Sequence, residues 1–549
     1  VRQVIQRIAL AFSLIIKVVV LNAMVTPCLS WQGETAVSSE QQMAKGIVFV
    51  DSNHDGKLDA DEQRISGVRI SNGQSIVMTN PQGEYNIPVS DDQIVFVIKP
   101  RGFRTALSED NLPRFYYIHK PAGSPKLRFS GVAATGPLPS SINFPLYPQN
   151  EPENFKAILF GDPQPRNLTE VGYIAEDVIP EVIGTDASMG VTLGDIVFDD
   201  LSCFTAVNET YGLLGIPWYN IIGNHDINLD VKQRKYANET FENTYGPSYY
   251  SFDYGNVHFI AADNINYHVD PTDGRSKYNA KFGQQQLEFI KNDLALVPAN
   301  SLVVILMHIP LTGTIDRQEL YRLIEKRPFC LSISGHTHYH ANKFIDQTDG
   351  WNGDQPHHHI INVTVSGSWW GGNPDERGIP HTMMKDGAPN GYSIISFDNT
   401  NYQLDFYAAG RPKSYQMNIV FPDEVATNKM VATDLIANVF NATSQDKVEA
   451  RVGWEGDWHP LVNYNGVSPL YQEVAQRELL PDGRPMLGAP NETEHLWKLP
   501  LGDLVANAAV GHHLVQVRWT DRTGRTTVSN RVLRVVESKE VSSTTETPK

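Results

Sequence analysis

Five apolar runs in this chain each end on polar residues able to hold a metal ion, and that recurrence constrains the fold more than any other feature. Residues 156–160 lead into Gly161-Asp162-Pro163-Gln164, and residues 190–193 into Gly194-Asp195. Residues 216–222 lead into Gly223-Asn224-His225-Asp226. Residues 302–307 end on His308, and residues 329–334 on Gly335-His336-Thr337-His338. Short apolar runs bounded by turn residues are buried strands, and the stretches 170–182, 200–213 and 284–297 between them have helical patterning. This is an α/β arrangement, in which ligand sites lie outside the carboxyl ends of the strands. Asn supplies a neutral oxygen to a metal, His can donate a proton, and Asp can orient that His.

Charge narrows the partners. The formal net charge is −17, which opposes nonspecific nucleic-acid binding and suits a soluble protein. A phosphate site in such a chain must bring its own positive charge, most simply as metal ions. At 549 residues, 41% of them apolar, the chain is long enough for three or so well-packed domains.

The first 30 residues differ from the rest. Arg2 and Arg7 precede an apolar run over residues 8–25, and no acidic residue occurs before Glu34. This is the pattern of a secretory signal peptide at residues 1–30. The expected location is therefore exported: periplasmic, cell-surface or secreted. The alternative, a retained membrane anchor, is disfavoured by Lys17 inside the run, so no stable membrane span is expected after cleavage. Cys203 and Cys330 then remain, too few for a disulfide framework; two buried thiols are expected, and a pair formed in an oxidising compartment is the alternative.

Both flanks carry β-patterning. Residues 51–62 match a twelve-residue calcium loop, with Asp51, Asn53 and Asp55 at positions 1, 3 and 5, Gly56 at 6, the Lys57 carbonyl at 7 and Glu62 at 12. The neighbouring runs are strands rather than helices, so the expectation is calcium bound within a β-sandwich over residues 44–147. An acidic surface turn that binds nothing is the alternative. Residues 413–537 return to short alternating runs, a second β-sandwich, and residues 538–549 form a polar tail expected to be disordered.

The five motifs in order, across residues 154–412, resemble those of the calcineurin-like metallophosphoesterases, and the flanks resemble an exported bacterial subgroup with amino- and carboxyl-terminal sandwiches. The resemblance implies a four-layer α/β-β-α core flanked by two all-β domains. It implies two divalent ions (Mn, Fe, Zn or Mg), with Asp195 bridging them, Asp162, Gln164 and His338 completing one site, and Asn224, His308 and His336 the other. His225 would be the general acid, with Asp226 holding its ring. A hydroxide bridging the ions would then attack a phosphomonoester or phosphodiester of a small molecule, lipid or protein, since two cations about 3.5–4 Å apart neutralise phosphate charge and lower the pKa of bound water.

The sequence departs from the family pattern at two points. Gln164 stands where the family has His, and Phe198, which cannot ligate, stands three residues after the bridging Asp, leaving the role of Asp199 open. Trp369 and Trp370, between glycines, either line the substrate or pack in the core. His357, His358 and His359 are expected in a solvated loop. A second reading, from another class, is a cell-surface binding module with a vestigial catalytic core. The intact ligand set favours the enzyme.

Overall fold

Side-chain alternation in the strand Asn154–Phe160 sets the layering of the molecule. Phe155, Ala157 and Leu159 enter one core, and Ile158 and Phe160 another, as the two-residue period of a strand requires. The structure is a computed structural model that describes residues 42–505 and 509–538. The expected signal peptide and residues 539–549 of the tail lie outside the described residues.

Two sheets face each other in the central region. In the first, Trp218–Ile221, Met189–Leu193 and Asn154–Phe160 run parallel, and Gly391–Asp398 and Asn401–Ala408 extend the sheet antiparallel. In the second, Val257–Ala261, Leu302–Leu306, Cys330–Ser334 and His357–Ile361 run parallel, flanked by antiparallel Tyr250–Tyr254 and Ala341–Ile345. Aromatic rings fill the space between the sheets. Tyr219 stacks on Phe252 at 4.0 Å, and Phe155 packs against Tyr254 and Phe397.

Helices cover both outer faces. Val171 and Ile174 of Leu168–Asp177, and Val207 and Tyr211 of Phe204–Gly212, share a core with Phe160 and Trp218. Leu287 and Ile290 of Gln284–Leu294, and Leu320 and Ile324 of Arg317–Ile324, join the core of the second sheet. The result is the four-layer α/β-β-α core, with the parallel strands of each sheet presenting their carboxyl ends along one edge.

The amino-terminal region contributes a five-stranded sheet around Met43–Val50 and a four-stranded sheet around Gln93–Ile98. It has no core of its own. Phe96 meets Phe289 at 5.8 Å and Phe115 meets Tyr250 at 4.9 Å, so one apolar cluster runs through both regions. A buried charged group lies on the same boundary. Arg69 pairs with Asp253 and Asp293, and His258 bonds both carboxylates, at 2.6 and 2.8 Å.

The carboxyl-terminal region has two sheets, built on Asp434–Val439 and on Gly511–Thr520 with Thr526–Val536. It also holds a helix that alternation did not predict, Pro469–Arg477, with Ser468 at its N-cap and Pro469 in its first turn. Proline is at home there because the first helical N–H needs no partner within the helix. Among the described residues, no helix is long and apolar enough to cross a membrane.

Candidate metal centre

The loops that follow the parallel strands are held in conformations that cost energy. Twelve described non-glycine residues have positive φ, and eight of them lie at this edge: Asp162, Gln164, Asp195, Asp199, His336, His338, Trp369 and Trp370. Such strain persists only where the surroundings over-determine it, and it clusters at functional sites. Two glycines permit the close approach. A Cβ on Gly223 would lie 2.0 Å from the Asp195 nitrogen, and one on Gly335 would lie 2.5 Å from Asp162 Oδ2.

The residues expected as ligands converge. Asp195, His308 and His336 each place a ligand-type atom within 4.8 Å of the others. His308 Nδ1 donates to the Leu193 carbonyl at 2.8 Å, which turns Nε2 inward. That nitrogen lies 3.2 Å from Asp195 Oδ2, 3.1 Å from Asn224 Oδ1 and 3.1 Å from His336 Nδ1. On the other side, His338 Nε2 stands 3.7 Å from Asp162 Oδ1, its Nδ1 facing the Gly367 carbonyl. Gln164 Nε2 donates to Asp195 Oδ2 at 2.9 Å, while its Oε1 is buried without a hydrogen-bond partner.

Electrostatics describe a site short of positive charge. Burial pushes Asp162 up to about 7, and the Asp195 charge adds to this. Burial would raise Asp195 too, but His308 and His225 hold its carboxyl well below the usual range. Burial disfavours the charged form of His308, yet Asp195 draws a proton onto it and raises it to about 9. Burial pushes His336 down to about 3 and His338 to about 4, leaving both as neutral imidazoles. A divalent cation competes directly for the place of such a proton. Oxygen and imidazole donors around buried carboxylates, with a Gln164 amide on Asp195 whose Oε1 has no partner, fit divalent metal ions.

The expected partner of His225 is corrected. Asp226 does not hold its ring. Both Asp226 oxygens are taken by backbone amides, Gly223 at 2.8 Å and Ile196 and Val197 at 3.1 Å each. Asp226 is fully buried, and burial pushes it up to about 7. Its work is to tie the loop after residue 194 to the loop after residue 223. Asp199 faces the ring instead, with Oδ1 2.7 Å from His225 Nδ1. Phe198 stacks on the other side of this pair, its ring 4.1 Å from that of His225. The His225 amide donates to Asp195 Oδ1 at 2.9 Å, so the same residue closes the centre from above.

The two tryptophans divide. Trp370 is buried, donates to the Pro163 carbonyl at 3.0 Å and packs against Tyr173, so it belongs chiefly to the core. Trp369 is half-buried. Its ring lies 4.4 Å from the His338 ring, and the Lys385 ammonium lies 4.5 Å from its centroid.

Three family profiles match the chain in order and without overlap. The profile described as the N terminal of calcineurin-like phosphoesterase matches residues 52–132, calcineurin-like phosphoesterase itself residues 155–340, and the C terminal of calcineurin-like phosphoesterase residues 359–526. The chain belongs to the calcineurin-like phosphoesterases. It is thus a metal-dependent phosphoric ester hydrolase acting on phosphorylated substrates. Among solved structures, this phosphoesterase is similar to a dimetal phosphatase from Danio rerio, at 14% identity over 47% of this chain and 96% of that one, TM-score 0.34. It is also similar to a purple acid phosphatase from yellow lupin (Lupinus luteus) seeds, at 14% identity over 62% of this chain and 67% of that one, TM-score 0.34. Comparison with curated proteins finds no match.

The other expected residues of the phosphoesterase fall away from this edge. His357–Ile361 is a strand, not a solvated loop, and burial pushes His357 to about 4 and His358 to about 3. Ser332 Oγ bridges His357 and His359 at 2.8 and 2.7 Å, so a neighbouring strand satisfies two of the imidazoles. In the calcium-type loop, Asp51, Asn53 and Asp55 accept from amides of residues 55, 56 and 57, and the two Glu62 oxygens accept from Ser52 and Asp59. Lys57 is exposed there. Cys203 and Cys330 are unpaired, the second only half-buried.

Proposed function

We propose that this phosphoesterase is an exported enzyme that hydrolyses phosphomonoester or phosphodiester bonds at a two-metal centre without a covalent intermediate. The convergence of Asp195, His308 and His336, with Gln164 bonded to Asp195 through Nε2 and its Oε1 buried without a partner, is the observation that carries the reading. Divalent cations held there would neutralise phosphate charge and supply a hydroxide for in-line attack. Asp195 lies between the two donor groups, where a carboxylate can serve both ions. Asn224, His308 and His336 form one group, and Asp162, Gln164 and His338 the other.

His225 stands at the rim and passes its proton to the leaving oxygen. Asp199 keeps the ring charged and turned, since burial alone would lower its pKa while the Asp195 and Asp199 carboxylates raise it. Positioned acids of this kind typically contribute about 10²–10⁴-fold.

Export is supported by the apolar run behind Arg2 and Arg7. Calcium in the amino-terminal loop is supported by the spacing of its oxygens. The deciding experiment is turnover of an aryl phosphate and a bis-aryl phosphate with added manganese, beside metal analysis of the wild-type protein and Asp195→Ala. Loss of both turnover and bound metal in Asp195→Ala is expected. Near-normal turnover in a doubly metallated Asp195→Ala protein would overturn the assignment.

A further inference from the structure

We propose that a cavity beside the centre receives the leaving group, that its far wall is supplied by the carboxyl-terminal region, and that the leaving group is bulky and apolar. This rests on the reading of His225 as the proton donor. Phe198, stacked on His225, also lines a cavity of about 620 Å³, and so does Trp369, whose ring lies against His338. The cavity is therefore lined by one residue packed on His225 and another packed on His338.

The opposite wall comes from about a hundred residues further along the chain: Leu480, Met486 and Leu487. It is firmly attached. Tyr471 Oη donates to the Gly488 carbonyl at 2.8 Å, Met486 N donates to the Glu478 carbonyl at 2.9 Å, and Glu478 Oε2 accepts from the Asn373 amide at 2.9 Å. Leu480 lines the cavity and is still 37% exposed.

The lining favours an apolar occupant over a second phosphate. Arg166 is the one charged residue of the lining. It is already engaged by Glu170, at 2.6 Å, and by the Trp369 carbonyl, at 3.1 Å. The volume lies within the range of pockets that enclose whole small-molecule ligands, far more than a water or a methyl group needs. In the reaction, a water oxygen bonds to phosphorus and the bond from phosphorus to the leaving oxygen breaks. The His225 proton passes to that oxygen, and the proton given up by the water restores the balance. The products are the phosphate and a free apolar alcohol.

Methyl, butyl and octyl phosphate test this, because their alcohols differ in apolar bulk while their acidities stay close. With manganese-loaded full-length enzyme, kcat/KM should climb by roughly fourfold per methylene buried until the cavity is full. Leu480→Asp should cut the octyl-to-methyl ratio by about tenfold or more. Leu213→Asp, an exposed change at a residue that does not line the cavity, should leave the ratio alone. Equal kcat/KM for all three esters, or an unchanged ratio in Leu480→Asp, overturns the cavity assignment and spares the hydrolase reading. No turnover of any of the three overturns the cavity assignment, while the hydrolase reading stands or falls separately on the aryl and bis-aryl phosphates.

Discussion

His225 Nδ1 lies 2.7 Å from Asp199 Oδ1, and the carboxylate one residue beyond His225, Asp226, turns away from the ring to cap three amides. The two acids therefore have separable roles. Asp199→Asn should keep its metals and lose about tenfold to a hundredfold in kcat, the usual cost of removing a partner that orients a functional imidazole. The loss should be larger for alkyl than for nitrophenyl esters, which need less protonation. Equal losses for the two ester types would remove Asp199 from the proton path.

Asp226→Ala should act through the fold. Three buried amides lose their acceptor together, each at about 1–3 kcal/mol, so unfolding free energy should fall by at least about 3 kcal/mol. Chemical denaturation reads this directly. An unchanged midpoint would show that the loops after residues 194 and 223 are tied by something else.

Gln164 leaves the family pattern, and its Oε1 is buried without a partner. An amide oxygen is a harder and poorer donor than imidazole for zinc or iron. Gln164→His should tighten its site and shift it towards those metals, whereas Gln164→Ala should empty it sooner. Metal analysis after stepwise chelation separates the outcomes. If both variants match the parent in content and preference, Gln164 touches no metal.

His258 makes stability depend on pH. Burial would lower its pKa, but Asp293 and Asp253 raise it to about 9, against about 6.5 in the unfolded chain. A raised folded pKa stabilises fully below about 6.5, and that contribution disappears as pH rises through about 9. A shift of that size corresponds to about 3 kcal/mol. Thermal melts at pH 6 and pH 9.5 should show a drop in wild type that His258→Gln lacks. Parallel drops in the two proteins would assign the pH dependence elsewhere.

Calcium should raise the melting temperature of the full chain, because a ligand that binds only the folded form stabilises it, and Glu62→Gln should weaken the effect. The full chain is the right sample, since Phe96 and Phe115 complete their packing on Phe289 and Tyr250. Identical melts with and without millimolar calcium would remove the ion from this loop.

What was legible in the sequence was the part written in local pattern. Apolar runs that stop at Gly-Asp, Gly-Asn or Gly-His are strands ending at a sheet edge, and the structure places all of those stops together. What local pattern missed was decided by neighbours far away in the chain. Asp199 faces His225 from a backbone with a positive φ of 61°, a conformation that local pattern does not announce. Three consecutive histidines look solvated until Ser332, on a neighbouring strand, supplies hydroxyl partners for two of them. Trp369 and Trp370 are adjacent in sequence yet divide between cleft and core, because Trp370 finds an acceptor in the Pro163 carbonyl. The wall at Leu480 to Leu487 carried no motif at all.

The apolar cluster that joins Phe96 to Phe289, and the Arg69 group on the same boundary, bear on how such a chain can change over generations. A flanking β-domain that closed over its own core could be lost, duplicated or exchanged by recombination as a cassette. Here the exchange carries a cost, because cutting near residue 150 strips aromatic surface from both pieces and leaves Asp253 and Asp293 without their arginine. Separating the amino-terminal domain from the catalytic core should therefore destabilise both pieces, and Arg69→Ala should weaken the contact between them.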